Sequence, residues 1–213
     1  LGTDSLSGGA DIDFVSYSRA NAVNVSLDGV ANDGEAGEAD NAQADIEDLV
    51  GGSGNDTLTG NALVNNINGG SGDDTVGGLG NDDGLVGSVG NDTLSGGTGQ
   101  DELTGADGND TLSGNEGDDI LNRDLGADIL AGGTGRDSVR YNVASPVTVS
   151  LDNVANDGVV GEGDNAQSDL EVVTGGSGDD TLSGSGAINE LNGGVGNDII
   201  NGLGGDDELN GES

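Results

Sequence analysis

Residues 51–59 read Gly-Gly-Ser-Gly-Asn-Asp-Thr-Leu-Thr, residues 69–77 Gly-Gly-Ser-Gly-Asp-Asp-Thr-Val-Gly, and residues 175–183 Gly-Gly-Ser-Gly-Asp-Asp-Thr-Leu-Ser. The pattern Gly-Gly-x-Gly-x-Asp-x-Leu-x runs unbroken from Gly51 to Arg140, ten consecutive nine-residue repeats. A fixed short period of this kind marks a solenoid of stacked units. Glycine at positions 1, 2 and 4 permits positive φ and close backbone approach, as a tight turn requires. The apolar side chain at position 8, flanked by polar positions 7 and 9, alternates as a half-buried strand does.

The repeat resembles the RTX (repeats-in-toxin) calcium-binding nonapeptide, a signature of calcium-binding parallel β-helices. The resemblance covers nearly the whole chain apart from two spacers. It implies an all-β fold, a right-handed parallel β-roll (β-solenoid) with 18-residue coils and calcium in the turns. Two repeats make one coil, so side chains at position 8 should form two facing ladders. One is Leu58, Val76, Leu94, Leu112 and Leu130; the other is Ile67, Leu85, Leu103, Leu121 and Val139.

The Asp at position 6 supplies a hard anionic oxygen, and calcium takes roughly six to eight oxygens, backbone carbonyls among them. The resemblance assigns calcium to Asp4, Asp13, Asp56, Asp74, Asp83, Asp92, Asp101, Asp110, Asp119, Asp128, Asp137, Asp180, Asp198 and Asp207. Backbone carbonyls of turn residues such as Gly51, Ser53, Gly69, Ser71, Gly175 and Ser177 complete the sites. With one ion between successive turns of a row, the expected number of calcium ions is on the order of ten. Asn65 and Asn189 occupy position 6 with an amide that brings no charge, and Arg123 stands where position 1 expects glycine, which should distort the turn leading to Asp128.

Composition limits the alternatives. The 213 residues include 45 glycines and 41 acidic against 4 basic side chains, a net charge of −37. So acidic and aromatic-poor a chain would ordinarily be disordered. The strict period with a ligand at most turns implies instead that folding depends on calcium. The charge excludes nucleic acid and anionic membrane surfaces as partners, and no apolar run is long enough to insert into a bilayer. Cysteine and histidine are absent, Gly-x-Ser-x-Gly is missing, and a carboxylate holding calcium is a poor general base. The reading is a non-enzymatic calcium-binding roll. It has a structural role in a secreted or surface bacterial protein, as an adhesin stalk, surface layer or extracellular filament. The alternative is the C-terminal RTX module of a secreted enzyme or toxin whose catalytic domain lies outside these residues. The resemblance implies an extracellular or cell-surface location reached by type I secretion. The outward row Thr57, Thr75, Thr93, Thr111 could match ice, but threonine's preference for strands explains it better.

The chain divides into a partial repeat region (1–16), a spacer (17–41), a roll (42–140), a second spacer (141–165) and a second roll (166–213). Residues 1–89 and 125–213 are tandem copies shifted by 124 positions; 29 of the 48 residues from Leu27 to Asp74 recur between Leu151 and Asp198. Each spacer opens with a strand-like stretch and continues into an acidic loop expected to bulge from the coil, with Asp33, Glu38 and Asp40 in the first and Asp157, Glu162 and Asp164 in the second. Such a loop either holds a further calcium or is a solvated acidic segment. The register returns with Glu47 and Glu171 at the Asp position and Leu49 and Val173 inward. Arg19, Arg123, Arg136 and Arg140 read as local charge relief. The sequence starts and stops inside a repeat, which suits either a piece of a longer array or head-to-tail self-association that continues the roll from Ser213 to Leu1 of another copy.

Overall fold

A computed structural model of the chain describes residues 2–211; Leu1 and residues 212–213, where a head-to-tail junction would fall, lie outside the described residues. The described residues are all strand, turn and loop, without a helix. Ten parallel strands form one continuous sheet from Phe14–Ser16 to Glu208–Asn210. Partners are offset by the period of the coil: Leu85 pairs with Ile67 and with Leu103, and Leu121 with Leu103 and Val139. The opposite wall pairs Leu58 with Val76, Val76 with Leu94, Leu94 with Leu112, and Leu112 with Leu130. All ten ladder side chains are buried and belong to one hydrophobic core. Position 8 therefore faces inward because strand alternation leaves it no other side. Thr57, Thr75 and Thr93 at position 7 stand exposed in register.

The wall carrying Leu58 is not continuous. It is divided into sheets of two, eight and four strands, and the divisions fall at the spacers. In the second spacer, strand Val147–Ser150 pairs forward, Val149 against Leu182. The chain then folds back through Gly158–Val159, antiparallel to Val147–Ser150, and reaches Asn165–Ala166, where Ala166 pairs backward with Leu130. One enlarged coil thus supplies two layers of this wall. The first spacer repeats the arrangement: Val25 pairs forward with Leu58, and Ala42 backward with Leu6.

The acidic loops at these splices are exposed over residues 152–156 and 160–161, and largely so over their counterparts in the first spacer, but two aspartates of each turn inward. Asp33, Asp40, Asp157 and Asp164 are buried. Asp157 accepts the Ser150 amide on Oδ1 at 2.7 Å and the Ala166 amide on Oδ2 at 2.8 Å. Asp33 does the same between Ser26, at 2.7 Å, and Ala42, at 2.8 Å. A carboxylate thus ties the two layers together at each splice.

Candidate metal centre

Each turn between strands presents the carboxylate of position 6 to the next coil. Its Oδ1 accepts the main-chain N–H of the Asp 18 residues earlier, as in Asp74 to Asp92 (2.7 Å), Asp92 to Asp110 (2.8 Å) and Asp83 to Asp101 (2.8 Å). The rows extend beyond the repeats. Asp164 and Asp40, from the spacer loops, accept the amides of Asp128 and Asp4. Glu171 and Glu47 accept those of Asp137 and Asp13 through Oε2. The longer glutamate side chain thus reaches the same station.

Oδ2 separates the turns into two kinds. In Asp13, Asp74, Asp83, Asp92, Asp101, Asp110, Asp119, Asp137 and Asp198 it is buried and has no hydrogen-bond partner. In each of these repeats position 2 is left-handed: Gly9, Gly70, Leu79, Ser88, Gly97, Ala106, Asn115, Gly133 and Gly194 all have φ between 77° and 122°. Leu203, before Asp207, shares the conformation at 65°. A left-handed Leu or Ala costs roughly 1–2 kcal/mol, and strain of this kind clusters where function requires it. These are the open turns.

Five turns are closed. The amides of Gly52 and Gly176 donate to Oδ2 of Asp56 and Asp180 at 2.7 and 2.9 Å. The amides of Asn61 and Ser185 donate to Oδ1 of Asn65 and Asn189 at 2.8 and 2.7 Å. The main chain of Asp124 likewise bonds to the Asp128 carboxylate. Position 2 is not left-handed in any of the five.

Position 1 is glycine for a steric reason. A Cβ on Gly78 would collide with Oδ2 of Asp83 and stand 2.8 Å from the Gly96 carbonyl oxygen of the next coil. A Cβ on Gly114 would collide with Oδ2 of Asp119, 2.7 Å from the Gly132 carbonyl. Gly51 and Gly175 face Asp56 and Asp180 with the carbonyls of Gly69 and Gly193 in the same way. A carboxylate oxygen and a carbonyl from the neighbouring coil thus line one cradle that a side chain would fill. Ser53, Ser71 and Ser177 are tied through their amides to the carbonyls of Arg19, Gly52 and Val143.

Burial penalises the charged form of these groups. It pushes Asp83 up to about 7, and Asp74, Asp110 and Asp137 up to about 6, against the downward pull of the amide each accepts; neighbouring carboxylates add to the rise. Buried carboxylate oxygens without partners are costly, and native structures tolerate few. A cation beside such rows would offset that cost. Among the described residues no three His, Cys, Asp or Glu side chains converge on a common point, so an ion held here would take most of its ligands from carbonyl oxygens. A hard cation with a high oxygen count meets that description, and calcium is one.

The arginines provide local relief elsewhere. Arg19 reaches Glu35 at 3.4 Å and Glu38 at 3.1 Å across the first loop, and Arg136 pairs with Glu190. Arg123 is buried, pairs with Glu162 and with Asp164 at 3.2 Å, and lies 5.8 Å from the centre of the Tyr141 ring.

No helix among the described residues is long and apolar enough to cross a membrane. No curated protein matches the chain. The profile of the RTX calcium-binding nonapeptide repeat matches residues 42–76, 50–85, 63–94, 86–121, 123–140 and 174–209, more than half of the sequence. With its paired ladders and its rows of turn aspartates, the chain belongs to the RTX calcium-binding nonapeptide repeat family, as a calcium-binding β-solenoid.

Proposed function

We propose that this solenoid is a non-enzymatic structural element of a secreted or surface-attached bacterial protein that folds as calcium fills its turns. The observation that carries the reading is the set of buried, unpartnered Oδ2 atoms of the position-6 aspartates. Asp74, Asp92 and Asp110 in one row, with Asp83, Asp101, Asp119 and Asp137 in the other, hold the ions together with carbonyls of adjacent coils. Calcium there neutralises carboxylates that otherwise repel one another in a chain of net charge −37. In low calcium that repulsion, with so little apolar area to bury, keeps the chain unfolded. Extracellular modules bind calcium with dissociation constants of roughly 10⁻⁴ to 10⁻³ M, so folding follows export. A stack of uniform coils serves as a stalk, surface layer or filament. The acidic spacer loops contribute structure, since both oxygens of Asp33 and Asp157 already accept amides. A calcium titration followed by far-UV circular dichroism, reversed with EDTA, tests the reading. A cooperative gain of β signal that EDTA removes is expected; a β signal indifferent to both would overturn it.

A further inference from the structure

Calcium is expected in most turns of such a solenoid, and at five of them the protein itself supplies what the ion would. At Asp56 both carboxylate oxygens are engaged, Oδ1 by the Val23 amide at 2.8 Å and Oδ2 by the Gly52 amide at 2.7 Å. Asp180 is bound in the same way by Val147 and Gly176, each at 2.9 Å. At Asn65 and Asn189 the side-chain amide nitrogen donates into the preceding coil, to the Glu47 carbonyl at 3.0 Å and the Leu170 carbonyl at 3.2 Å. A donor there stands in place of the acceptor that a cation requires.

The fifth case is the most direct. Arg123 occupies position 1, the place where a Cβ would fill the cradle in the repeats that carry glycine. Its guanidinium pairs with Asp164, the carboxylate that accepts the Asp128 amide, and with Glu162. An arginine bound to a carboxylate is a permanent cation with fixed geometry.

We propose that the turns at Asp56, Asn65, Asp128, Asp180 and Asn189 take no calcium, Arg123 replacing the ion at Asp128 and main-chain or amide N–H groups replacing it at the other four. The inference rests on the calcium reading of the open turns. It gives the closed turns a location with a purpose. Those at Asp56 and Asp180 hold the first strand of each spacer, through Val23 and Val147; that at Asp128 abuts the returning strand Asn165–Ala166 through Asp164. The first strand of each spacer is thus fastened by the chain's own groups in place of calcium.

Counting bound calcium by native mass spectrometry, in the wild type and in Asp56→Asn, Asp92→Asn and Arg123→Gly, tests this. The Asp56→Asn variant should lose some stability, since its NH₂ faces the Val23 or Gly52 amide, and is therefore counted at saturating calcium, where a folded fraction can be compared. There it should keep the wild-type count. Asp92→Asn, in an open turn, should lose at least one ion or need several-fold more calcium to fill. Arg123→Gly should gain one. Equal losses in Asp56→Asn and Asp92→Asn, or an unchanged count in Arg123→Gly, would overturn the assignment while leaving the calcium reading standing. A wild type that binds no calcium would remove both.

Discussion

The main-chain N–H of Asp92 donates to Oδ1 of Asp110 in the following coil at 2.8 Å, while Oδ2 of Asp110 is buried without a partner. One carboxylate thus does two jobs. Its first oxygen ties coil to coil, and its second faces the cradle. Substituting such a residue separates the two roles. Asp101→Asn keeps an acceptor for the Asp83 amide and should form the roll only at higher calcium. Asp101→Ala loses the acceptor as well and should cost a further 1–3 kcal/mol or so at saturating calcium. Denaturant melts of both variants across a calcium series would check the split; identical behaviour would contradict it.

The cradle predicts a sharp contrast between glycines. Gly78→Ala drives a methyl group against Asp83 and the Gly96 carbonyl, whereas a Cβ on Gly77 meets nothing within 4 Å. Thermal melts in calcium should show Gly78→Ala less stable by about 1–3 kcal/mol and Gly77→Ala close to wild type.

The splice carboxylates should matter more than their place in acidic loops suggests. In Asp157→Asn one oxygen becomes an NH₂ group facing the amide of Ser150 or Ala166, and a buried donor is left unpaired. A loss of roughly 1–3 kcal/mol is expected, read from chemical denaturation, with Asp152→Asn on the exposed surface as the neutral comparison.

Acid should partly replace calcium. The ordinary aspartate value is 3.8, and burial raises Asp83 to about 7 and Asp74, Asp110 and Asp137 to about 6 in the folded chain. Between those values the folded state binds more protons than the unfolded state. The stabilisation from protonation is therefore complete below about pH 3.8 and is lost as pH rises through 6 to 7. In EDTA the β signal should be stronger at pH 5 than at pH 7.5. With calcium present, protons compete, and the calcium midpoint should rise as pH falls from 7.5 to 5.5. Circular dichroism at fixed ionic strength measures both; an EDTA form that gains structure on alkalinisation would contradict the sign.

Much of this architecture is legible in the repeat. The nine-residue period places Leu58 to Leu130 and Ile67 to Val139 on facing walls, and the structure pairs them in that register. The positions that break the pattern, Asn65, Asn189 and Arg123, are visible too, because each departs from a residue type the turn demands. What the period conceals is set by tertiary neighbours. Gly52 and Gly70 both occupy position 2, yet only Gly70 is left-handed. Gly52 lies against the backbone of Tyr17 and Arg19, which the spacer brings there from outside the repeat. Leu79 and Ala106 have no local preference for the left-handed region and share it with one neighbour in the stack, Gly97 beside Leu79 and Ser88 beside Ala106. The splice is hidden for a similar reason: Val149 pairs forward and Ala166 backward, an order of layers opposite to the order of the chain.

Calcium on the second oxygen of the open-turn aspartates can be seen directly. A crystal structure grown in calcium, with anomalous scattering collected to locate the ions, tests for it. The account predicts ions bonded to Oδ2 of Asp74, Asp83, Asp92 and Asp101 at about 2.3–2.6 Å, with carbonyl oxygens of adjacent coils completing each shell. Ions found only on exposed carboxylates, with those Oδ2 atoms free of metal, would contradict it.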